Sequence, residues 1–296
     1  MTGPAITAII ICLNGERFLR EAIASILAQD DADWELIIVD DGSSDATAAI
    51  IAEAMAADVR IRTACHPEHA NMGMSASRNL GIAEARGHYV AFLDADDVWM
   101  ADKLSTQRAI LDADHLLAMV YGRTKIWHSW QSGRDADDFY YDLGVEPGRA
   151  YDPPLLFEQL MENRCQSPTS CGSLIRRDAI LATGGFDPAF RQMFEDQVFY
   201  ARLLAQFRVH VSDKCVALYR SHVDACTAQM GDGLPSAAAH LRYLAATLAY
   251  LKGRHLASRP MLRAITNARR RVLAQMSKQL IRQSGQTLLA RVRRHG

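Results

Sequence analysis

No stretch of this sequence approaches the roughly 18 uninterrupted apolar residues that a membrane-spanning helix needs. The opening Met1–Leu13 has no basic n-region, carries Pro4 and holds too short an apolar run for a secretory leader. The expectation is a cytoplasmic protein, either soluble or held peripherally at the inner face of the membrane. The six cysteines, Cys12, Cys65, Cys165, Cys171, Cys215 and Cys226, show neither paired zinc spacing nor a short disulfide framework, which fits buried thiols in a reducing compartment. No G-x-G-x-x-G follows the first expected strand, which disfavours a dinucleotide-dependent dehydrogenase. Acid is missing from one whole region: Gly233–Gly296 contains thirteen Lys and Arg and no Asp or Glu.

The overall formal charge of −1 hides that asymmetry, because the preceding 232 residues carry 20 basic against 34 acidic groups, a net of −14. The C-terminal region is therefore a separate electrostatic object. With 49% hydrophobic residues over 296 positions, the chain is long enough for one large α/β domain and an appendage.

The most informative stretch is Tyr89–Asp97, YVAFLDADD, an apolar run that ends in Asp94, Asp96 and Asp97. Such a run fits a strand buried on both faces, as in parallel sheets. Its carboxyl end is where open α/β sheets bind ligands. Alternation along extended chain would point Asp94 and Asp96 to the same side, where they could share a hard divalent cation completed by phosphate oxygens. The alternative is a solvated acidic helix start, with Asp97 capping a helix that begins near Met100.

Strand and helix signals alternate through the first 100 residues. Ile6–Leu13 predicts a strand followed by an Asn14-Gly15 turn or cap, and Leu19, Ile23, Ile26 and Leu27 repeat at helical spacing. Trp34–Val39 predicts a second strand ending in Asp40-Asp41-Gly42-Ser43-Ser44, then a helix over Ala46–Ala57. A third strand fits Val59–Ala64, before a loop with two histidines, a helix around Ser75–Ala85 and the strand at Tyr89. This order implies right-handed crossovers and a mostly parallel sheet. Further on, Leu116–Tyr121 predicts a strand that Gly122–Ile126 extends, Trp127–Pro154 a long loop region, Leu155–Glu162 a helix and Arg208–Leu218 a last strand. Asp135, Asp137 and Asp138 within the loop read as a solvated charge cluster rather than a second metal site.

The segment Asn71-Met72-Gly73-Met74-Ser75-Ala76-Ser77-Arg78-Asn79-Leu80-Gly81-Ile82, then Ala85-Arg86-Gly87 and FLDADD, resembles the inverting nucleotide-sugar glycosyltransferases of family 2, which have the GT-A fold. The order of motifs matches over about Ile6–Asp102. The resemblance implies a GT-A-like α/β domain over residues 1–230, with a nucleotide-sugar half at 1–115 and an acceptor half at 116–230, and a basic helical region at 231–296. It implies that Asp41, with Asp40 beside it, accepts a hydrogen bond from the donor's base, with a simple Asp-Gly turn as the alternative. Arg78 would pair with base or phosphates, unless it is an ordinary surface arginine. Asp94 would lie near the ribose and Asp96 at a divalent metal, Mn²⁺ or Mg²⁺. The run Pro168–Arg177 followed by Gly184-Gly185-Phe186-Asp187 resembles the family's strand and acceptor-side loop, where two glycines would let the backbone approach a sugar; a plain turn is the alternative. Glu195-Asp196 stands where the family carries its acidic pair.

An inverting transfer needs a base for the acceptor hydroxyl. Asp196 is the candidate, with Glu195 steering the acceptor or orienting the loop, although an acid in the first turn of a helix also complements the helix dipole. His222, in Tyr219-Arg220-Ser221-His222, is a metal candidate, while His66 and His69 match no motif and read as incidental. The sequence departs from the family where Ile11-Cys12-Leu13-Asn14 lacks the usual proline and aromatic, which puts base stacking at Leu13 in doubt. It also lacks the glutamine–two residues–arginine–tryptophan motif of processive synthases, which implies single addition.

The implied function is metal-dependent transfer of one sugar from a nucleoside diphosphate donor, with a UDP-sugar as the first choice, to a glycan or lipid-linked acceptor in cell-surface polysaccharide assembly. The rivals are a nucleotidyltransferase and a non-catalytic module that tethers partners through its basic tail. In that tail Leu241, Leu244, Leu248 and Leu251 mark one helix, and Met261, Ile265, Ala268, Val272, Met276 and Leu280 a second stripe, with Arg269, Arg270 and Arg271 partly off it. Peripheral contact with anionic lipid and docking on acidic protein both fit that pattern, and nucleic acid is not expected.

Overall fold

A computed structural model describes residues 3–131, 137–191, 193–222 and 234–292, with side chains described as far as Lys278. Met1–His222 forms one compact unit and Val223–Gly296 another, while the boundary expected at Met230 falls outside the described residues.

In the first unit the strands are β1 (Ile6–Cys12), β2 (Trp34–Asp40), β3 (Ile61–Cys65), β4 (Tyr89–Asp94), β5 (Val98–Trp99), β6 (Leu117–Trp127), β7 (Phe139–Tyr140), β8 (Arg149–Tyr151), β9 (Ser173–Arg176) and β10 (Arg208–Arg220). The helices are α1 (Leu19–Leu27), α2 (Thr47–Ala57), α3 (Met74–Glu84), α4 (Lys103–Ala113), α5 (Leu155–Glu162), α6 (Arg177–Thr183) and α7 (Glu195–Leu204). Among the described residues one mixed sheet runs β3-β2-β1-β4-β9-β6-β10-β5, with β7 beside β6 and β8 beside β10. Its first four strands are parallel, as the alternating strand and helix signals predict. Every residue of β1 and β2 is buried, because helices cover both faces. Each fully buried isoleucine or leucine there contributes roughly 1.5–3 kcal/mol.

The rest of the sheet is not parallel throughout. β9 enters antiparallel between β4 and β6, and β6 and β10 then run parallel to each other. The loop region expected over Trp127–Pro154 contains the short strands β7 and β8. Asp138 is not solvated: its side chain is 7% exposed and accepts from Lys125 Nζ at 2.9 Å, the N–H of His128 and Ser129, and the Ser129 hydroxyl. It ties the β6–β7 connection together; Asp135 lies outside the described residues.

Two close approaches position the ends of the first strands. Gly81 lets α3 lie against β1, since a Cβ there would sit 2.6 Å from Ile9. The loops after β1 and β2 zip together: Asn14 Oδ1 accepts from Ser44 N–H, Gly15 N–H donates to Thr47 Oγ1, and Glu16 N–H donates to Asp45.

The second unit consists of α8 (Leu234–Gly253) and α9 (Arg259–Val292), which pack on each other. Tyr243, Leu244 and Leu251 on α8 and Met261, Ile265, Ala268 and Val272 on α9 are buried, whereas Leu241, Leu248 and Met276 of the stripes seen in the sequence are half-buried and the side chain of Leu280 lies outside the described residues. Among the described residues no helix is long and apolar enough to cross a membrane.

Candidate active site

The carboxyl ends of β1, β2 and β4 lie side by side, with Cys12 opposite Asp40 and Ile11 opposite Asp94. At the first of these ends Asp40 accepts from Ser43 N–H at 2.9 Å and lies 3.7 Å from His69 Nε2. Asp41 accepts from Met72 N–H at 2.8 Å and Gly73 N–H at 2.9 Å, fastening the loop that leads into α3. His66 Nε2 is 3.6 Å from Asp41 and 3.0 Å from Ser77 Oγ. The two histidines expected to be incidental thus stand beside the two aspartates. Leu13, where the family's aromatic is missing, is exposed.

At the end of β4 the chain does not stay extended. Asp97 N–H donates to the Asp94 carbonyl at 3.1 Å, closing a turn through Ala95 and Asp96. Alternation is therefore not what relates Asp94 to Asp96; a turn does that, and the two charges interact. Burial and then the Asp94 charge push the Asp96 carboxyl above its ordinary range, against the pull of His222. His222 Nε2 lies 2.9 Å from Asp96 Oδ2, so the two expected metal residues are brought together across 126 positions of sequence.

Asp97 does not cap a helix. It is 1% exposed, accepts from Arg220 N–H at 2.9 Å, and is held well above the usual carboxylate range by burial first and then by Asp96 and Asp94. Arg220 Nε donates to the Asp96 carbonyl at 2.7 Å, and its guanidinium lies 4.6 Å from the ring centre of Phe18 and 4.4 Å from that of Trp127. Phe18 also packs against His222 at 5.1 Å and against Trp130 at 5.5 Å. Sequence spacing offered no signal for this aromatic wall, whose members come from α1's approach, the end of β6 and the end of β10.

Arg78 is 2% exposed. Its Nη2 donates to Asp94 at 2.8 Å and its Nη1 to Glu195 at 3.1 Å, which joins the end of β4 to the start of α7. Burial works against the guanidinium charge, but Asp94, Glu195 and Asp196 more than offset it and hold the group protonated. Next to this bridge Asp196 is pushed up to about 7 by burial and then by Glu195, with Arg78 pulling the other way. The residue keeps part of its surface open to solvent while protein crowds its carboxyl on the other sides. A carboxylate in that state can take a proton near neutral pH.

The expected acceptor loop is built into the fold. Gly184 closes α6 in the left-handed conformation, a helix end the sequence did not signal. At Gly185 a Cβ would lie 2.7 Å from Asn79 Oδ1, so the missing side chain makes room for α3. Phe186 is buried between Phe92 and Phe199, and Asp187 pairs with Arg202 at 2.6 Å.

Residues 7–181 match the family described as Glycosyl transferase family 2. This chain belongs to that family. The GT-A fold agrees with solved structures: Staphylococcus aureus TarS in complex with UDP-GlcNAc covers 81% of this chain and 66% of its own at 18% identity, with a TM-score of 0.64. The mannosyltransferase PcManGT from Pyrobaculum calidifontis, in complex with GDP-Man and Mn²⁺, covers 97% and 80% at 15% identity, with a TM-score of 0.56. Among curated proteins, the Escherichia coli UDP-Glc:alpha-D-GlcNAc-diphosphoundecaprenol beta-1,3-glucosyltransferase WfgD is 33% identical over 121 residues, 41% of this chain and 46% of WfgD. The chain spans about half or less of the length of the first curated relatives that it matches.

The donor set fits a divalent ion of the kind that substrate completes. Among the described residues no group of three or more His, Cys, Asp or Glu is arranged to hold a metal alone. Asp96 and His222 supply a carboxylate oxygen and an imidazole nitrogen side by side, and the buried His222 Nδ1 has no hydrogen-bond partner among the described residues. Such a pair suits Mg²⁺ or Mn²⁺, which keep positions for water and phosphate oxygens.

Proposed function

We propose that this family 2 domain transfers a single sugar, with inversion, from a nucleoside diphosphate donor to a hydroxyl of a glycan or lipid-linked acceptor in polysaccharide or cell-surface glycan assembly. One observation carries the reading: Asp94, Asp96 and His222 at the end of β4 stand across Arg78 from the Glu195–Asp196 pair. With a divalent ion bound, the first group would suit a charged diphosphate, and the second suits a hydroxyl that must lose its proton.

The acceptor oxygen attacks the anomeric carbon, the bond from that carbon to the diphosphate oxygen breaks, and the hydroxyl proton passes to Asp196. A divalent ion held by Asp96 and His222 would neutralise the charge on the leaving diphosphate. Glu195 orients the acceptor. Asp40 and Asp41 serve the base, with the loop at Met72 and Gly73 as the platform. UDP is the favoured donor nucleotide, because one structural neighbour is a UDP-GlcNAc complex and one curated relative is named for UDP-Glc. That relative's name also specifies a diphosphoundecaprenol acceptor, which favours a lipid-linked substrate here and gives the basic hairpin α8–α9 a reason to meet anionic headgroups. Family membership favours glycosyl transfer over nucleotidyl transfer.

The test is calorimetric titration of UDP, GDP, dTDP and CMP, each with and without Mn²⁺, into wild type and Asp96→Ala. Metal-dependent binding of one diphosphate, lost in the variant, is the expected result. A protein that binds none of them with metal present would sink the proposal.

A further inference from the structure

We infer that Arg78 is a positioning residue that locks the donor-side carboxylate Asp94 to the acceptor-side pair Glu195 and Asp196, and is not a contact to the nucleotide. The inference rests on the glycosyl-transfer reading of the site for its consequence, and on geometry alone for the bridge.

The guanidinium is only 2% exposed, which leaves little of it for a ligand to reach. Each of its amino groups donates one N–H to a carboxylate, Asp94 or Glu195, its buried Nε has no hydrogen-bond partner among the described residues, and the Phe186 ring lies 5.2 Å from its carbon. Swinging out to a base or phosphate would leave a largely buried carboxylate without its counter-charge. A forked, permanently charged group suits this place, since one lysine ammonium cannot meet two carboxylates on different elements in fixed directions.

Ser75 and Asn79, one helical turn apart on α3 and on either side of Arg78 in sequence, hold the acceptor loop at two further points. Ser75 Oγ donates to the Phe190 carbonyl at 2.6 Å. Asn79 Nδ2 donates to the Phe186 carbonyl at 2.8 Å, and Phe186 N–H donates back to Asn79 Oδ1 at 2.9 Å. Three side chains of one helix thus carry the acceptor loop and the start of α7, while Gly81 on that helix seats it on β1. Movement at Asp94 on donor binding would reach Glu195 and Asp196 through a single guanidinium.

The charges facing Asp196 are Glu195 on its own helix, Arg78 from α3 and Asp94 from β4, with the Tyr200 hydroxyl one turn along α7. Of these charged groups, Arg78 alone favours the ionised base. Its loss moves the onset of activity to higher pH as well as slowing turnover.

The experiment compares wild type, Arg78→Lys and Arg78→Met as full chains. UDP and GDP binding with Mn²⁺ is followed by calorimetry, and nucleotide release from UDP-glucose, UDP-N-acetylglucosamine and GDP-mannose is followed from pH 5 to pH 9. Arg78→Lys is expected to lower turnover at saturating donor by about ten-fold or more, with nucleotide affinity within about three-fold of wild type. Arg78→Met is expected to shift the acid limb of the profile upward by about one pH unit. Lost nucleotide affinity with retained turnover would make Arg78 a donor contact and overturn the inference, as would an unchanged turnover and acid limb. Because removing the charge in Arg78→Met puts folding itself at risk, thermal unfolding of Arg78→Lys, Glu195→Gln and the double variant supplies a readout independent of activity. Non-additive shifts are expected, and additive ones would remove the bridge. If wild type binds no nucleotide, the glycosyl-transfer reading falls, and this cycle still decides whether Arg78 joins the two halves.

Discussion

Asp196 carries opposing demands. Its carboxyl stands at about 7 rather than 3.8 because burial and Glu195 disfavour its charge. Below about pH 4 the folded and unfolded chains both hold the proton, so the site costs nothing there. As pH rises from about 4 to about 7 the unfolded chain releases its proton first, and stability falls through that window. Asp196→Asn should therefore unfold at a higher temperature than wild type at pH 8 and show little gain at pH 4. The same variant should lose about 10²–10⁴-fold in turnover, the usual contribution of a general base. Wild-type activity should decline as pH drops below about 7, where the base is protonated. Scanning calorimetry and an initial-rate profile check these outcomes; a variant with wild-type turnover would remove Asp196 from the reaction.

The helix α3 and the glycines it faces are where one element decides the site. Gly184 and Gly185 both have positive φ, +83° and +69°, but open space lies beyond Gly184 while Asn79 stands 2.7 Å from a Cβ at Gly185. Gly184→Ala should cost about 1 kcal/mol, the strain of a left-handed alanine. Gly185→Ala should cost about 1–3 kcal/mol, since it adds a clash to that strain. Denaturant midpoints compare the two, and Asn79→Ala should recover part of the loss at Gly185. Equal midpoints for the two alanine variants would show that contact with α3 does not set the loop. Element identity here was largely legible. The run Tyr89–Asp94 and the Leu155–Glu162 periodicity appear as read, and the first two strands deviate by one residue at their ends. The exceptions include α6, most of which carries no sequence assignment, and β5, β7 and β8, which are two or three residues long and made by pairing with β6 and β10 rather than by their own propensity.

Across the whole chain the charge is split between the units, and much of the basic hairpin's apolar stripe is buried, so the contact proposed for it with anionic lipid is an electrostatic one. Full-length protein should sediment with vesicles of phosphatidylcholine containing about one-third phosphatidylglycerol at low salt and dissociate near 0.5 M salt, where the Debye length falls to a few ångströms. Replacing Arg269, Arg270 and Arg271 by Gln should weaken that binding and leave nucleotide affinity unchanged. Binding that resists salt, or survives the triple substitution, would count against an electrostatic contact.

Local pattern was enough for the parallel strands of the first hundred residues, the carboxylates at strand ends and the basic tail, because hydrophobic runs, turn residues and charge density are properties of neighbours in the chain. The resemblance to the family, not local pattern, is what singled out Asp96, His222, Glu195 and Asp196. Only packing across the sheet could show that His222 meets Asp96, that Asp97 holds Arg220 instead of capping a helix, and that Asp138 is enclosed. Packing likewise shows Arg78 bridging Asp94 and Glu195. The physical reason is that burial and a second carboxylate set what a charged side chain does, and both arrive from elements more than a hundred residues away.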